Sequence, residues 1–459
     1  MADTLAGSNK ADKPDVKVTR QQWKWTVLAG MASYLDAGSI VALGAGLALW
    51  QDYLHMSPTL VGVLAAIGPN AIGAAIGAFL GGRLGDVFGR KRIYQFDLIV
   101  YAFGVLLIIL AFNTPMLLIG TFILGVAVGA DVPTSLALVG ELAPDNARGK
   151  LLGLTQVAWG VGPVVVLVLA VALAPLGLWG IRIIFVQLFL AAVITWALRQ
   201  GMTESARWVA ASGAAPAEPT SDPAKQPGTA PAPRTQVQSR NLRGLLRGSI
   251  RGALLYTVTI YLFWNLAAGT GGIFGAYIIK TVGAKTQAQS VALSGMGFVV
   301  GIIAVVLIFM RYSDRGYRVR RWIWGIGALL NVTSYLLYVV FPFTTLIIIL
   351  NIVLFAVGAG LAGEAFYKVF SQEMFPTMLR GTAQGITFGT ARVLLGIWSF
   401  FVPGLALLGI KPIAVLLVLF LAISGLVGFF FLPDTASKSL EQIESERELM
   451  DRQPAAARA

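Results

Sequence analysis

The sequence contains no cysteine, so disulfides, thiolate metal sites and cysteine nucleophiles are all excluded. One histidine, His55, leaves no second imidazole for a zinc site or a histidine relay. Charge is scarce too. Thirty-five Lys and Arg with 22 Asp and Glu make up 12% of 459 residues, about half the share usual in soluble domains. A water-soluble globule of this size would lack the charged groups to cover its surface, which excludes an ordinary soluble enzyme. What is present is apolar: 56% of the residues are hydrophobic, including 25 Phe and 11 Trp, with 52 Gly besides. Aromatic side chains anchor at bilayer interfaces and glycine permits close helix packing, so the main solvent of this chain is lipid.

A bilayer core about 30 Å thick needs roughly 20 apolar residues per helix. Such stretches fall near 25–50, 58–81, 93–112, 116–139, 152–174 and 179–199, and again near 250–279, 288–310, 321–341, 344–369, 382–408 and 411–432. The pattern predicts an all-α integral membrane protein of twelve transmembrane helices. The domain reading is a tail over 1–24, a six-helix bundle over 25–199, a linker over 200–249, a second six-helix bundle over 250–432 and a tail over 433–459.

The net charge of +13 sorts by loop. Lys10, Lys13, Lys17 and Arg20 precede the first span, which has no signal-peptide cleavage site before it, so this segment is expected to be retained. Arg83, Arg90, Lys91, Arg92, Arg148, Lys150, Arg311, Arg315, Arg318, Arg320 and Arg321 fall on the same side, against Lys280, Lys285 and Lys411 on the other. Positive loops face the cytoplasm, so both termini are expected there, in a cell membrane, and nucleic-acid binding is not needed to explain the charge. The linker from Ala214 to Thr235 is dominated by Ala, Pro, Gly, Ser and Thr and cannot bury a core. After it, Arg240, Arg243, Arg247 and Arg251 are read as solvated positive-inside residues, or as an amphipathic helix on the anionic leaflet.

The two halves match at three places. Glu141-Leu-Ala-Pro144 with Arg148-Gly149 recurs 232 residues later as Glu373-Met-Phe-Pro376 with Arg380-Gly381. Asp86, followed by Gly89-Arg90-Lys91-Arg92, recurs 228 residues later at Asp314, followed by Gly316, Arg318, Arg320 and Arg321. Glu204-Ser205 parallels Asp434-Thr435 at an offset of 230. Such agreement implies two parallel six-helix repeats about an axis along the membrane normal, the design of carriers that rock two halves about a midplane site.

Gly82-Arg-Leu-Gly-Asp86-Val-Phe-Gly89-Arg90-Lys91 resembles the loop 2–3 motif of the major facilitator superfamily. The E-x-x-P-x-x-x-R-G blocks, Glu204-Ser205-Ala206-Arg207-Trp208, and Pro433-Asp434-Thr435 with Lys438-Ser439-Leu440-Glu441 resemble blocks shared by its sugar porters and phosphate:proton symporters. The resemblance runs from about Met31 to Glu444 and implies the major facilitator fold, with no enzymatic activity. It also implies secondary transport by alternating access, energised by the proton gradient with no bound cofactor. Asp86, Arg90, Glu141, Arg148, Asp314, Glu373 and Arg380 are expected to form an ion-pair belt that holds the inner gate shut.

Ionisable side chains at bilayer depth are costly and are functional candidates by default. Asp36 in the first span and Asp131 in the fourth are the expected proton-coupling groups, since a carboxyl group in a low-dielectric cavity can exchange a proton near neutral pH. Their settings resemble the first-helix Asp of sugar symporters and the G-G-D-Y-P block of phosphate symporters. Asp97, five residues past Arg92, is expected at headgroup level beside the loop arginines. Glu364 and Lys368, spaced i, i+4 in the tenth span, are expected to pair. Arg392 in the eleventh must find an anion, a carbonyl or water and hints at a negatively charged solute.

Gln156, Trp159, Tyr261, Trp264 and Asn265, with Glu364, Lys368 and Arg392, complete the expected solute site. Amides and indoles suit a sugar. Trp179, Trp322 and Trp324, near span ends, read as interface anchors. The glutamine pair of sugar porters maps onto Asn265-Leu266 and their tenth-helix Trp falls near Lys368, so polyols, sugar acids, other carboxylates and phosphate stay open. The functional expectation is proton-coupled uptake of a small polar solute by a monomer in the bilayer. The alternatives are an anion symporter, a proton-driven exporter, faintly suggested by Gly160-Val161-Gly162-Pro163, and a transporter-shaped sensor.

Overall fold

The computed structural model describes residues 18–213, 242–246, 248–281 and 287–452. Most of the expected linker, Arg240, Arg247, Lys10, Lys13, Lys17 and Lys285 lie outside the described residues, as does the far end of the C-terminal tail. All regular structure among the described residues is helical.

The first span is α1 (Arg20–Leu54), which opens earlier than expected because Thr19 and Gln22 form a reciprocal cap: the Gln22 N–H donates to Thr19 Oγ1 at 3.2 Å and the Thr19 N–H to Gln22 Oε1 at 2.9 Å. The second span is interrupted at Gly68–Ala71, giving α2 (Pro58–Ile67) and α3 (Ile72–Phe88). Then follow α4 (Arg90–Ile109), α5 (Thr114–Leu142), α6 (Arg148–Ala172) and α7 (Leu178–Arg199), with a short α8 (Ala206–Ser212) beyond the bundle.

The second half comprises α9 (Gly248–Thr281) and α10 (Gln287–Ala304), continued through a π-helical stretch (Val305–Phe309) into α11 (Met310–Tyr312). Next come α12 (Tyr317–Val340), α13 (Thr345–Leu361) and α14 (Glu364–Glu373), the tenth span being broken at Ala362-Gly363. Then α15 (Thr377–Leu407), α16 (Ile410–Phe430) and a terminal α17 (Leu440–Arg452) complete the chain. The ninth and tenth spans part at Phe341-Pro342-Phe343, where α12 has ended and Thr344 caps α13. Where an amphipathic helix was one expectation, Leu242–Leu246 is a 3-10 turn and α9 starts at Gly248.

Packing repeats between the halves. Spans 1 and 5 pack together as spans 7 and 11 do, span 3 packs on spans 4 and 6 as span 9 packs on 10 and 12, and the halves meet along spans 2 and 11 and, symmetrically, 5 and 8. Large apolar side chains such as Phe112, Val171, Leu329 and Phe400 are exposed on the outer faces, as a lipid-facing surface requires. Trp179 and Trp322 are exposed with them. Trp324 is a correction to the anchoring expectation: it is 1% exposed and its indole N–H donates to the Gly425 carbonyl at 3.1 Å. Because twelve crossings is an even number, α1 begins and α16 finishes at one end of the bundle, the end that also carries the repeated motifs.

Glycine sets how closely the halves approach. A Cβ on Gly82 of α3 would overlap the Gly381 carbonyl of α15, and one on Gly385 would overlap the Ala78 carbonyl of α3. In lipid, where apolar burial gives little drive between helices, such backbone contact supplies dispersion energy instead. Gly82→Ala and Gly385→Ala should each cost about 1–3 kcal/mol. The expected readout is a lower apparent melting temperature of the full chain in detergent, with Gly252→Ala, which has no atom within 4 Å of its new methyl, unchanged.

Candidate functional site

At the motif end, each half supplies an acid that binds one arginine of its own half and one of the other. Glu141 Oε1, at the end of α5, lies 3.1 Å from Arg90 Nη2 and 2.9 Å from Arg380 Nη1 of the second half. Glu373 lies 2.7 Å from Arg320 and 3.1 Å from Arg148 of the first half. All six are buried. Unpaired, any of these charges would cost several kcal/mol at such depth, so the pairs tie the halves together.

The two repeated aspartates act in trans as well. Asp86 accepts from the N–H groups of Gly381 at 3.1 Å and Thr382 at 2.6 Å in α15, and from the Thr382 hydroxyl at 2.6 Å, while pairing with Arg90 at 2.8 Å. Asp314 accepts from the N–H groups of Gly149 at 2.8 Å and Lys150 at 2.9 Å on the first turn of α6, where the helix dipole favours an anion. Burial raises the Asp314 carboxyl above its ordinary value, although Arg320 and these two donors pull it the other way. Gly89 and Gly316 turn the chain beside the two aspartates at φ of +102° and +116°, a region an L side chain rarely adopts.

The motifs after spans 6 and 12 close over this belt. Arg207 donates to the Glu141 carbonyl at 2.7 Å and to Glu441 at 2.9 Å, and the Trp208 indole donates to the Asp86 carbonyl at 3.0 Å. Burial raises the Glu441 carboxyl, but the Arg207 guanidinium together with its backbone and Ser439 hydrogen-bond donors outweighs it and leaves the group below its ordinary value. The sequence reading gave Arg320 as a positive-inside residue and a member of the repeated motif, and left it out of the expected belt. Its role was readable, since Arg320 follows Arg90 by 230 residues as Glu373 follows Glu141 by 232.

Between the halves at mid-depth lie two adjoining cavities of about 220 and 60 Å³ that share Trp159, Trp264, Ala268, Gly272 and Phe298 as walls. Gln156 borders the larger, which runs on between apolar side chains of the second half. Asn70, Asn265, Glu364 and Arg392 border the smaller. Asp36, 1% exposed, stands against this wall: its Oδ2 accepts from the Trp159 indole at 3.2 Å and lies 3.6 Å from Arg392 Nη2. Arg392 also donates to the Asn70 carbonyl at 3.4 Å and side-chain oxygen at 3.3 Å. One second-half cation thus holds two first-half groups. Asn70, at the break in the second span, was not foreseen, because nothing in the sequence says that the interruption turns it toward Arg392.

Four residues stand elsewhere than expected. Asp131 is away from the cavities, inside the first bundle, 3.3 Å from Arg199 at the last turn of α7. Asp97 joins it there, 4% exposed and 3.6 Å from Arg199, so the expected pairing with the loop arginines is corrected: its partner is a buried arginine of another span. Tyr261 borders neither cavity among the described residues; its ring stacks on Tyr367 at 3.9 Å between centroids. Lys368, likewise absent from the cavity walls, stands behind Glu364 with Nζ 3.6 Å from Oε1, the pairing expected from the i, i+4 spacing.

The Major Facilitator Superfamily profile matches residues 26–400. The minor myo-inositol transporter IolF of Bacillus subtilis is 39% identical over 425 residues, covering 92% of this chain and 93% of that protein. The glucose transporter GlcP of Staphylococcus epidermidis is 25% identical, covering 91% and 95%. Among solved structures, the proton:xylose symporter XylE bound to 6-bromo-6-deoxy-D-glucose superposes with a TM-score of 0.77 at 18% identity, covering 93% of this chain and 99% of that one.

Replacing Glu373 by Gln should leave Arg148 to Asp145, 3.0 Å away, and Arg320 to Asp314, 3.5 Å away, and loosen the contact between the halves by about 1–3 kcal/mol. The chain has no cysteine, so Ser313→Cys supplies one thiol at a fully buried position beside Gly149. The expected outcome is labelling of that thiol by a water-soluble maleimide at least about tenfold faster when Glu373→Gln is added.

Proposed function

The chain belongs to the major facilitator superfamily of transporters, and from that premise we propose that it carries a small sugar or polyol inward with a proton by alternating access. The proton gradient is the energy source, and a single chain, which encloses the whole cavity, is the functional unit. The names of the myo-inositol and glucose transporters that it resembles across nearly its full length support the solute class. So does the chemistry of the cavity, where Trp159 and Trp264 offer flat apolar faces beside the amides of Gln156 and Asn265.

The observation that carries the coupling is the contact of Asp36, on α1, with Arg392, on α15. A proton on Asp36 removes the charge that holds Arg392, leaving that guanidinium to Asn70 and to the solute. Because the two residues sit on different halves, the same proton weakens a tie between them. At the motif end, the belt around Glu141 and Glu373 and the trans contacts of Asp86 and Asp314 are the gate that must break for solute to leave. The arginine and lysine residues of that end support placing it, with both termini, on the cytoplasmic side of the cell membrane.

Asp131 is left out of the coupling step, since Arg199 holds it away from the cavity. Asp36→Asn should abolish accumulation driven by a pH gradient in proteoliposomes yet retain solute exchange. Asp131→Asn should retain both, apart from any loss of folded protein. Uphill accumulation by Asp36→Asn at the wild-type level would refute the coupling role.

A further inference from the structure

Glu364 owes its position to the break in the tenth span. The chain leaves α13 at Leu361 and resumes as α14 at Glu364, while Gly363 lets the Trp264 indole pack against the bend: a Cβ there would stand 2.7 Å from the ring. The Glu364 carboxylate therefore borders the smaller cavity beside Trp159, Trp264 and Asn265. Its protein partners are distant. Oε1 is 3.6 Å from Lys368 Nζ, and Oε2 is 3.5 Å from Gln156 Nε2, against roughly 2.7–2.9 Å for a strong charge-assisted hydrogen bond. Close to it, Gln156 Oε1, Asn265 Oδ1 and Lys368 Nζ are buried with no hydrogen-bond partner. A carboxylate with both oxygens under-used, next to unsatisfied amide oxygens, is an acceptor array suited to hydroxyl donors.

The charges balance without a solute. Glu364 and Arg392 are the charged residues on the walls of the two cavities among the described residues, and each has an opposite partner, Lys368 and Asp36. A neutral ring can donate hydroxyls to Glu364 and leave this balance intact. An acid of the same size placed against Glu364 would bring a second negative charge there, with Lys368 already committed and Arg392 held by Asp36 while that carboxylate is ionised, at a cost of several kcal/mol in a desolvated site.

Resting on the sugar or polyol reading, we propose that Glu364 is the specificity-determining residue of the cavity. It accepts hydroxyls of a neutral solute and excludes the corresponding acids, and Lys368, 3.6 Å from its Oε1, holds it turned to the cavity. Discrimination follows from leaving a buried polar group without its partner when the wrong solute enters.

The test is binding of myo-inositol, glucose and glucuronate to the purified full-length chain, followed by tryptophan fluorescence and calorimetry. The wild type should bind a neutral solute and not glucuronate. Glu364→Gln should weaken that neutral solute tenfold or more, and Lys368, freed of its partner, should then admit glucuronate. The double variant Glu364→Gln with Lys368→Met, which restores charge balance and guards against misfolding, should bind neither well. Wild-type affinity in the double variant would reduce the pair to a structural one and overturn the assignment alone, as would equal binding of glucuronate and the neutral solutes by the wild type. A wild type that binds neither myo-inositol nor glucose would overturn the solute class proposed above and this assignment with it.

Discussion

A charge inside the bilayer must meet its opposite, and in this protein it meets it across the seam between two bundles. Glu141 and Glu373 each gather an arginine from both halves, and Asp36 meets Arg392 beside the cavity. The desolvation cost of a lone charge makes these contacts obligatory while the seam is shut. It also makes them reversible, since water or a proton can replace a lost partner. An apolar seam would offer neither the selectivity of partner nor a means of release.

The duplication explains why the belt is so regular. Each half brings an aspartate at or just past the end of its second span, an arginine at the start of its third and a glutamate at the end of its fourth, and the two sets interlock about the same pseudo-twofold axis. Asp86 meets N–H groups of α15 as Asp314 meets those of α6, so each half caps a helix of the other. The central cavity departs from this symmetry. Asp36 lies on the first span and Arg392 on the eleventh, and Glu364 with Lys368 stands on the tenth alone, so the middle of the molecule is asymmetric where its end is symmetric.

Legibility in the sequence followed the same division. Twelve spans, the split at Phe341-Pro342-Phe343 and the paired motif residues could be read from hydropathy and from spacing, because both are local or repeat at nearly one offset along the chain. Glu364 and Lys368 could be paired from a separation of four on one helix. The readings that needed correction all concern facing between spans. Asp131 resembles a coupling acid in one dimension and is enclosed with Asp97 by Arg199 in three. Tyr261 turns to Tyr367 and Trp324 to Gly425, although each lies on a helix with suitable composition.

The amino-acid sequence by itself determined the membrane environment, the number of crossings, the parallel duplication and the residues of the belt. Those properties depend on the solvent preference of whole segments and on intervals along the chain. Only the tertiary structure decided that Arg392 answers to Asp36 and Asn70, that Asp131 is shut away from the cavity, and that Glu364 faces it with its oxygens under-used. In a helix almost every side is apolar here, so hydropathy carries no direction. Which face a charge presents is settled by close glycine contacts and by breaks at Gly68–Ala71 and Ala362-Gly363, whose angles no interval in the sequence encodes.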